Sequence, residues 1–333
     1  MADVRIGISG WTYAPWRGTF FPGGLAQREE LHYASRQLAT IEINGTFYSL
    51  QKPASYARWA SEVPDDFVFS VKAPRYITHV RRLEEVAVPV ANFLASGLLR
   101  LGSKLGPILW QLPPSLHYDR RLLESFLALL PPDSASAAKM ARRHDEKVTE
   151  AWLKAGPLRP WRHAIEVRHE SFATPEFIGL LRDHNVAIVV ADTAGKWPVI
   201  EDVTADFVYA RLHGDSELYV SGYTPKALGI WAAKIRAWSA GRNGPGARLV
   251  TKNRPAPQAR AVYVYFDNDV KTRSPYDAMS LAHLLGRGPA PGEAPSIAPT
   301  AELPRTHWPS YRRRRSGGET GRTGPRPSGP KGQ

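Results

Sequence analysis

Six residues of this chain could do chemistry together: Glu42, Lys72, Glu166, Arg168, Arg211 and His213. Cations of this kind bind and polarise an anionic oxygen, and a carboxylate or imidazole beside them can carry a proton. Their spacing groups them. Each closes a short apolar run and occupies one alternating phase of it. Ile41 and Ile43 oppose Glu42 and Asn44, and Phe69 and Val71 oppose Ser70 and Lys72. Ile165 and Val167 oppose Glu166 and Arg168, and Ala210 and Leu212 oppose Arg211 and His213. Weaker versions occur where Ile6 and Ile8 oppose Ser9, and where Ile108 and Trp110 oppose Gln111. Strand side chains alternate faces with period two, so the apolar phase packs on one layer and the polar phase points the other way. A parallel strand covered on both faces should be almost continuously apolar, which makes these shared departures informative. Ions meeting in this way must be paired and hydrogen-bonded, and such a network can also exist only to satisfy itself.

Positioning these residues falls to eight β-type runs, at 5–9, 40–44, 67–72, 107–112, 163–168, 187–192, 207–213 and 261–268. Helical stretches are predicted between most of them, at 27–38, 55–62, 83–101, 120–130, 176–183, 226–239 and 277–285. A charged segment, 137–153, reads as an additional helix before the fifth run. The link between the sixth and seventh runs holds no helix, yet a dozen residues suffice for a parallel crossover. Eight strands alternating with helices over roughly 250 residues predict an α/β fold, a closed (β/α)8 TIM-like barrel. An open doubly wound sheet is the alternative, but the first strand turn, SGWTYAPW, lacks a glycine-rich dinucleotide loop. In a barrel, the carboxyl end of the strands is where chemistry is placed.

The loops after the strands are aromatic and polar. Trp11, Tyr13 and Trp16 follow the first run, Thr78 and His79 the third, Asp192, Lys196 and Trp197 the sixth, Tyr219 and Tyr223 the seventh, and Asp267, Asn268 and Asp269 the eighth. A mouth rimmed by aromatics and floored by cations suits a flat or phosphate-bearing anion. The ligand set read from this pattern is Trp11, Tyr13, Asn44, Lys72, His79, Gln111, Arg168, Asp192, Trp197, Arg211, Tyr223 and Asn268, with Glu42, Glu166 and His213 for acid–base work. Candidate metal ligands would be Glu42, His79, Glu166, Asp192, His213 and Asp269. No HxH or HxxxH spacing supports them, and Arg168 and Arg211 would repel a cation, so a divalent metal is disfavoured and no cofactor is expected.

ISGWTYAPWRGTFFP, EINGTFYSL, FVFSVKAPRYITH, GPILWQLPP, AIEVRHESF, VVADTAGKWP, VYARLHG with SGYT, and VYVYFDND resemble, in order, the blocks of the YecE-like family, also called domain of unknown function 72. The resemblance runs from Val4 to about Leu285, and the insert containing ARRHDEKV resembles one branch of the family. It implies a TIM-like barrel and leaves the activity open. It also implies shared positions at Trp11, Glu42, Asn44, Lys72, His79, Gln111, Glu166, Arg168, Asp192, Arg211, His213 and Asn268. Asp277 stands where many members carry asparagine.

Composition bounds the rest. With 43% hydrophobic residues the chain can bury a sizeable core. The absence of cysteine excludes disulfides, thiolate metal sites and a cysteine nucleophile. The net charge is +13, and 286–333, rich in Gly, Pro and Arg, reads as a disordered basic tail beyond a barrel domain of 1–285. Its run Arg312–Arg315, preceded by Trp308 and Tyr311, would attract phosphate backbones or serve only as a solubilising tail. The most apolar stretch, 86–99, is broken by Pro89 and Asn92 and too short to span a bilayer. With no basic region leading into an apolar stretch at the start, a cytoplasmic, non-membrane protein is expected. Three functions fit: a hydrolase-like enzyme acting on a phosphodiester or another phosphate-bearing substrate, a non-catalytic nucleic-acid-binding barrel, and a glycoside-directed enzyme resting on Glu42 and Glu166. Endonuclease-four-type barrels favour the first by fold analogy alone.

Overall fold

The computed structural model describes residues 2–218, 221–253, 255–268 and 272–292. Strands β1 (Val4–Ser9), β2 (Thr40–Ile43), β3 (Val68–Lys72), β4 (Leu105–Gln111), β5 (His163–Glu166), β6 (Ala187–Asp192), β7 (Phe207–Leu212) and β8 (Ala261–Phe266) form one closed parallel barrel in chain order. β1 pairs with β8 to close it. The chain therefore adopts the α/β, TIM-like barrel expected from its runs, and the open sheet does not occur. Of the expected tail, only 286–292 lie among the described residues; Trp308, Tyr311 and Arg312–Arg315 lie outside them, as do Tyr219 and Asp269. No helix among the described residues is long and apolar enough to cross a membrane.

The period-two phases sort into two cores. Ile6, Ile8, Ile41, Ile43, Phe69 and Val71 pack outward into one large apolar cluster with the helices. Leu109, Ala164, Val189, Tyr209 and Tyr265 fill the barrel interior as a second. Register then sets the polar phase side by side: Ser9 opposite Glu42, Glu42 opposite Ser70, Gln111 opposite Glu166, and Arg211 opposite Tyr265. Inside, the Tyr265 hydroxyl meets Thr40 Oγ1 at 2.8 Å and Ser70 Oγ at 2.6 Å, so a polar layer supports the mouth from below.

Helices α1 (Glu30–Gln37), α2 (Gly45–Tyr48), α3 (Pro53–Glu62), α4 (Ala87–Ala95), α5 (Arg120–Leu127), α6 (Ser134–Ala141), α7 (Pro175–Asp183), α8 (Pro225–Ser239) and α9 (Arg273–Leu284) surround the strands. Several start where the sequence supplies a cap. Asp119 and Asp133 accept from Leu122 N and Ser136 N, and Thr174 and Thr224 precede Pro175 and Pro225 while accepting from Phe177 N and Ala227 N.

Two helices predicted from sequence differ. The stretch 83–101 is broken into α4 and the start of a 3-10 segment, Leu98–Lys104, because Leu83 and Glu85 adopt positive φ before α4 and Gly97 (φ +121°) follows it. A Cβ at Gly97 would lie 2.6 Å from Pro53 Cα, so glycine is required by both conformation and space. The segment 137–153 is helical only to Ala141. Beyond it the chain runs through turns pinned by side chains: Asn92 donates to Asp145 Oδ1 and accepts from Asp145 N, and Trp152 N donates to Ala95 O. The β6–β7 link has no helix, as expected. Buried Glu201 and Asp202 replace one there, accepting from the backbone N–H groups of Arg248, Val250 and Thr251.

Candidate functional site

Arg211 lies at the centre of the carboxyl end of the barrel, fully buried. β7 places it on the inward phase, and three carboxylates converge on its guanidinium. Nη2 donates to Glu42 Oε1 at 2.8 Å and Asp267 Oδ2 at 2.8 Å, Nη1 to Glu166 Oε2 at 2.8 Å, and Nε to Glu42 Oε2 at 3.1 Å. Burial alone would favour its neutral form. The carboxylates of Glu42, Asp267 and Glu166 outweigh burial and hold the guanidinium charged.

Each carboxylate is further engaged. Glu42 accepts from Tyr209 OH at 2.6 Å and Ser9 Oγ at 3.1 Å. Glu166 receives Gln111 Nε2 on both oxygens at 3.0 Å and Arg168 Nε at 2.8 Å. Burial opposes ionisation of Glu166, but Arg168, Arg211, His213 and Lys72 overcome it and hold the carboxyl well below its usual range. Asp267 is depressed by Arg211 and His213 in the same way, against its burial. His213 Nδ1 lies 3.1 Å from Asp267 Oδ2, and burial together with Arg211 lowers the imidazole's pKa.

On one side of this network stand Lys72, His79 and Arg168. Lys72, at the end of β3, places its amine 4.3 Å over the Phe47 ring. Burial and Arg211 bring its pKa down to about 8, against the opposing pull of Glu42, Asp267 and Glu166. Among the described residues its amine makes no hydrogen bond or ion pair. His79 lies in a π-helical turn, Tyr76–Val80, with Nδ1 at 2.9 Å from Thr78 Oγ1 and its ring edge-on to Phe47. Burial, Lys72 and Arg168 lower its pKa to about 4, so it is neutral near pH 7. Arg168 stacks at 3.9 Å over Trp197, whose backbone N–H is held by Thr193 Oγ1.

The structure thus brings together Glu42, Lys72, Gln111, Glu166, Arg168, Arg211 and His213, with His79 and Trp197 at the edge. Asn44 follows β2 as the residue before α2, and among the described residues its buried Oδ1 has no hydrogen-bond partner. Tyr13 donates to Ser9 O at 2.7 Å and covers the top of β1. Four expected ligand contacts lie elsewhere. The chain turns at Gly10 (φ +83°), and Trp11 packs on Trp59 and Phe69 in the outer core. Asp192 shares the outward phase of Ile188 and Val190 and accepts from Tyr223 OH at 3.0 Å. Tyr223 is itself buried against Phe266. Asn268 shares the outward phase of Val264 and Phe266 and donates to Asp277 Oδ2 and Ser221 O. The inward residue of β8's end is Asp267, and the same parity that exposed Glu42 would have found it. Tyr209, two residues before Arg211, was legible in the same way. Among the described residues no group of three or more His, Asp or Glu side chains could hold a metal ion, since the carboxylates converge on a guanidinium.

A closed parallel (β/α)8 barrel with an ion network at the carboxyl end of its strands defines the class. Within it, residues 5–301 match the family model described as "Protein of unknown function DUF72", and the chain belongs to that family. It is similar to UPF0759 protein YecE of Escherichia coli, 33% identical over 110 residues, which are 33% of this chain and 38% of that protein. Similarity to UPF0759 protein YunF of Bacillus subtilis is 25% over 122 residues, 33% of this chain and 40% of that one. The matched stretch therefore spans well under half the length of these relatives. A DUF72 family protein from Thermotoga maritima shares the fold with a TM-score of 0.63 at 22% identity, covering 85% of this chain and 99% of that one. A second, from Enterococcus faecalis, gives 0.60 at 16% identity, covering 85% and 95%.

Proposed function

We propose that the mouth of this barrel binds an anionic, phosphate-bearing ligand, with Lys72 as the charge that receives it. The observation that carries this reading is the contrast between two buried cations. Arg211 spends its donors on Glu42, Glu166 and Asp267, whereas Lys72, 8% exposed, meets no acceptor among the described residues. A largely buried ammonium without a protein partner is costly, and an anion that supplies one relieves that cost. Arg211 then acts as the scaffold rather than as a phosphate clamp. Glu42 and Glu166 are locked by hydrogen bonds, so proton transfer in this reading falls to the neutral imidazole of His79, which feels both Lys72 and Arg168. A glycoside-directed reading draws less support, because a guanidinium occupies the place between the two glutamates where a scissile bond would lie.

The test is calorimetric titration of inorganic phosphate and pyrophosphate into the full-length protein and its Lys72→Met variant. The expected loss is roughly tenfold or more in affinity, as for one charge-assisted hydrogen bond to an anion. The variant should melt no lower than the parent, since it removes an unpaired buried charge. Equal phosphate affinity in both proteins would overturn the reading.

A further inference from the structure

Lys72 is the ionisable group that the network leaves over, and its setting suits a second role. The solvent contact it retains includes the amine, which is not among the sealed polar atoms. Glu42, Glu166 and Asp267 act on it from a distance, with their oxygens engaged by Arg211, Tyr209, Gln111, Arg168 and Ser9. Arg211 repels its charge from inside the barrel, and it in turn acts on His79 at the rim. A lysine that is buried, unpaired and still reachable is the arrangement in which an amine works as a nucleophile.

We infer that Lys72 forms an imine with the aldehyde or ketone carbon of a small phosphate-bearing molecule. The inference rests on the anion-binding reading for the ligand's phosphate and on the geometry of Lys72 for its carbonyl. The neutral amine's lone pair makes the new C–N bond while the carbonyl π pair moves to oxygen. That oxygen takes up the proton lost from nitrogen, giving a carbinolamine. A second proton, from solvent, lets the oxygen leave as water and yields an iminium ion. The iminium restores one positive charge beside Glu166, Glu42 and Asp267, where the barrel already balances a lysine ammonium. With a pKa of about 8, roughly a tenth of the amine is neutral at pH 7, against well under a hundredth for an ordinary lysine.

The experiment incubates the full-length protein at pH 7 with sodium cyanoborohydride and either glycolaldehyde or glycolaldehyde phosphate, then maps the modified lysines by peptide mass. Hydride delivered to the iminium carbon leaves a stable secondary amine. Lys72 should be labelled at least about tenfold faster than the exposed Lys139 and Lys226, because its neutral fraction is larger by more than that factor. Its rate should climb as pH rises towards about 8, and the phosphate-bearing probe should label faster. Equal rates with both probes at a fast-labelling Lys72 would support the nucleophile and count against the phosphate reading. Phosphate binding with Lys72 labelled no faster than Lys139 and Lys226 would overturn this inference while leaving the anion-binding reading in place.

Discussion

Arg211 shows why a buried ion network is easier to break than to value. Three carboxylates surround it, and neither it nor Glu42 touches solvent. Replacing it by methionine takes the shared guanidinium from all three and leaves Arg168 paired with Glu166 alone, so Arg211→Met should cost about 3–5 kcal/mol in urea-unfolding experiments. A cost below about 1 kcal/mol would mean that the carboxylates find other partners. The acid side of stability follows from the same contacts. Glu166 and Asp267 have folded-state pKa values below their unfolded ones, so the unfolded chain binds more protons as pH falls. Their contribution is complete above roughly pH 5 and drains away as pH drops through about 4 and below. His213 and His79, whose pKa values the fold lowers, add the same sign at somewhat higher pH. Arg211→Met should therefore flatten the loss of stability between about pH 5 and 3, measured by thermal unfolding across that range.

At the scale of elements, legibility followed physical cause. The strands were readable because a barrel imposes one rule, apolar outward and polar inward near the carboxyl end, on most of them; β6 departs from it, with Ala191 inward and Asp192 on the outward phase. The same rule went unread on β8, where parity selects Asp267 and sets Asn268 outward. The helices were less readable because their ends depend on contacts distant in sequence. Nothing local says that Asn92 will anchor Asp145, or that Gly97 must pass within reach of Pro53. Gly97 offers a direct check. With φ +121° and no room for a Cβ, Gly97→Ala should destabilise the protein by more than about 1 kcal/mol, beyond the ordinary helix preference for alanine. Hydrogen exchange should show the loss first in α4 and the turn leading into β4. An unchanged melting temperature would show that α3 shifts without cost.

Over the whole molecule, charge is concentrated in two places of different kinds. In the barrel mouth it is nearly balanced, with Glu42, Glu166 and Asp267 against Lys72, Arg168 and Arg211, so a ligand there must be read by placement rather than by bulk attraction. Elsewhere the balance is lopsided: the chain carries +13 overall, and four consecutive arginines stand at Arg312–Arg315. A dense basic run binds polyanions by releasing counterions, with affinity that falls steeply with salt and ignores sequence. The two can be separated in the full-length protein by replacing Arg312–Arg315 with serine. If the run contacts a polynucleotide, the slope of log affinity against log salt should shrink by up to about 4 for duplex DNA, close to one per arginine. On the proposed reading, inorganic phosphate affinity should stay where it was, because Lys72 would receive the anion inside the barrel. A polynucleotide slope unchanged by the four substitutions would place the nucleic-acid contact, if any is measured, on the barrel itself. A parallel loss of phosphate affinity would tie the mouth to the basic run and remove the basis for treating them as separate.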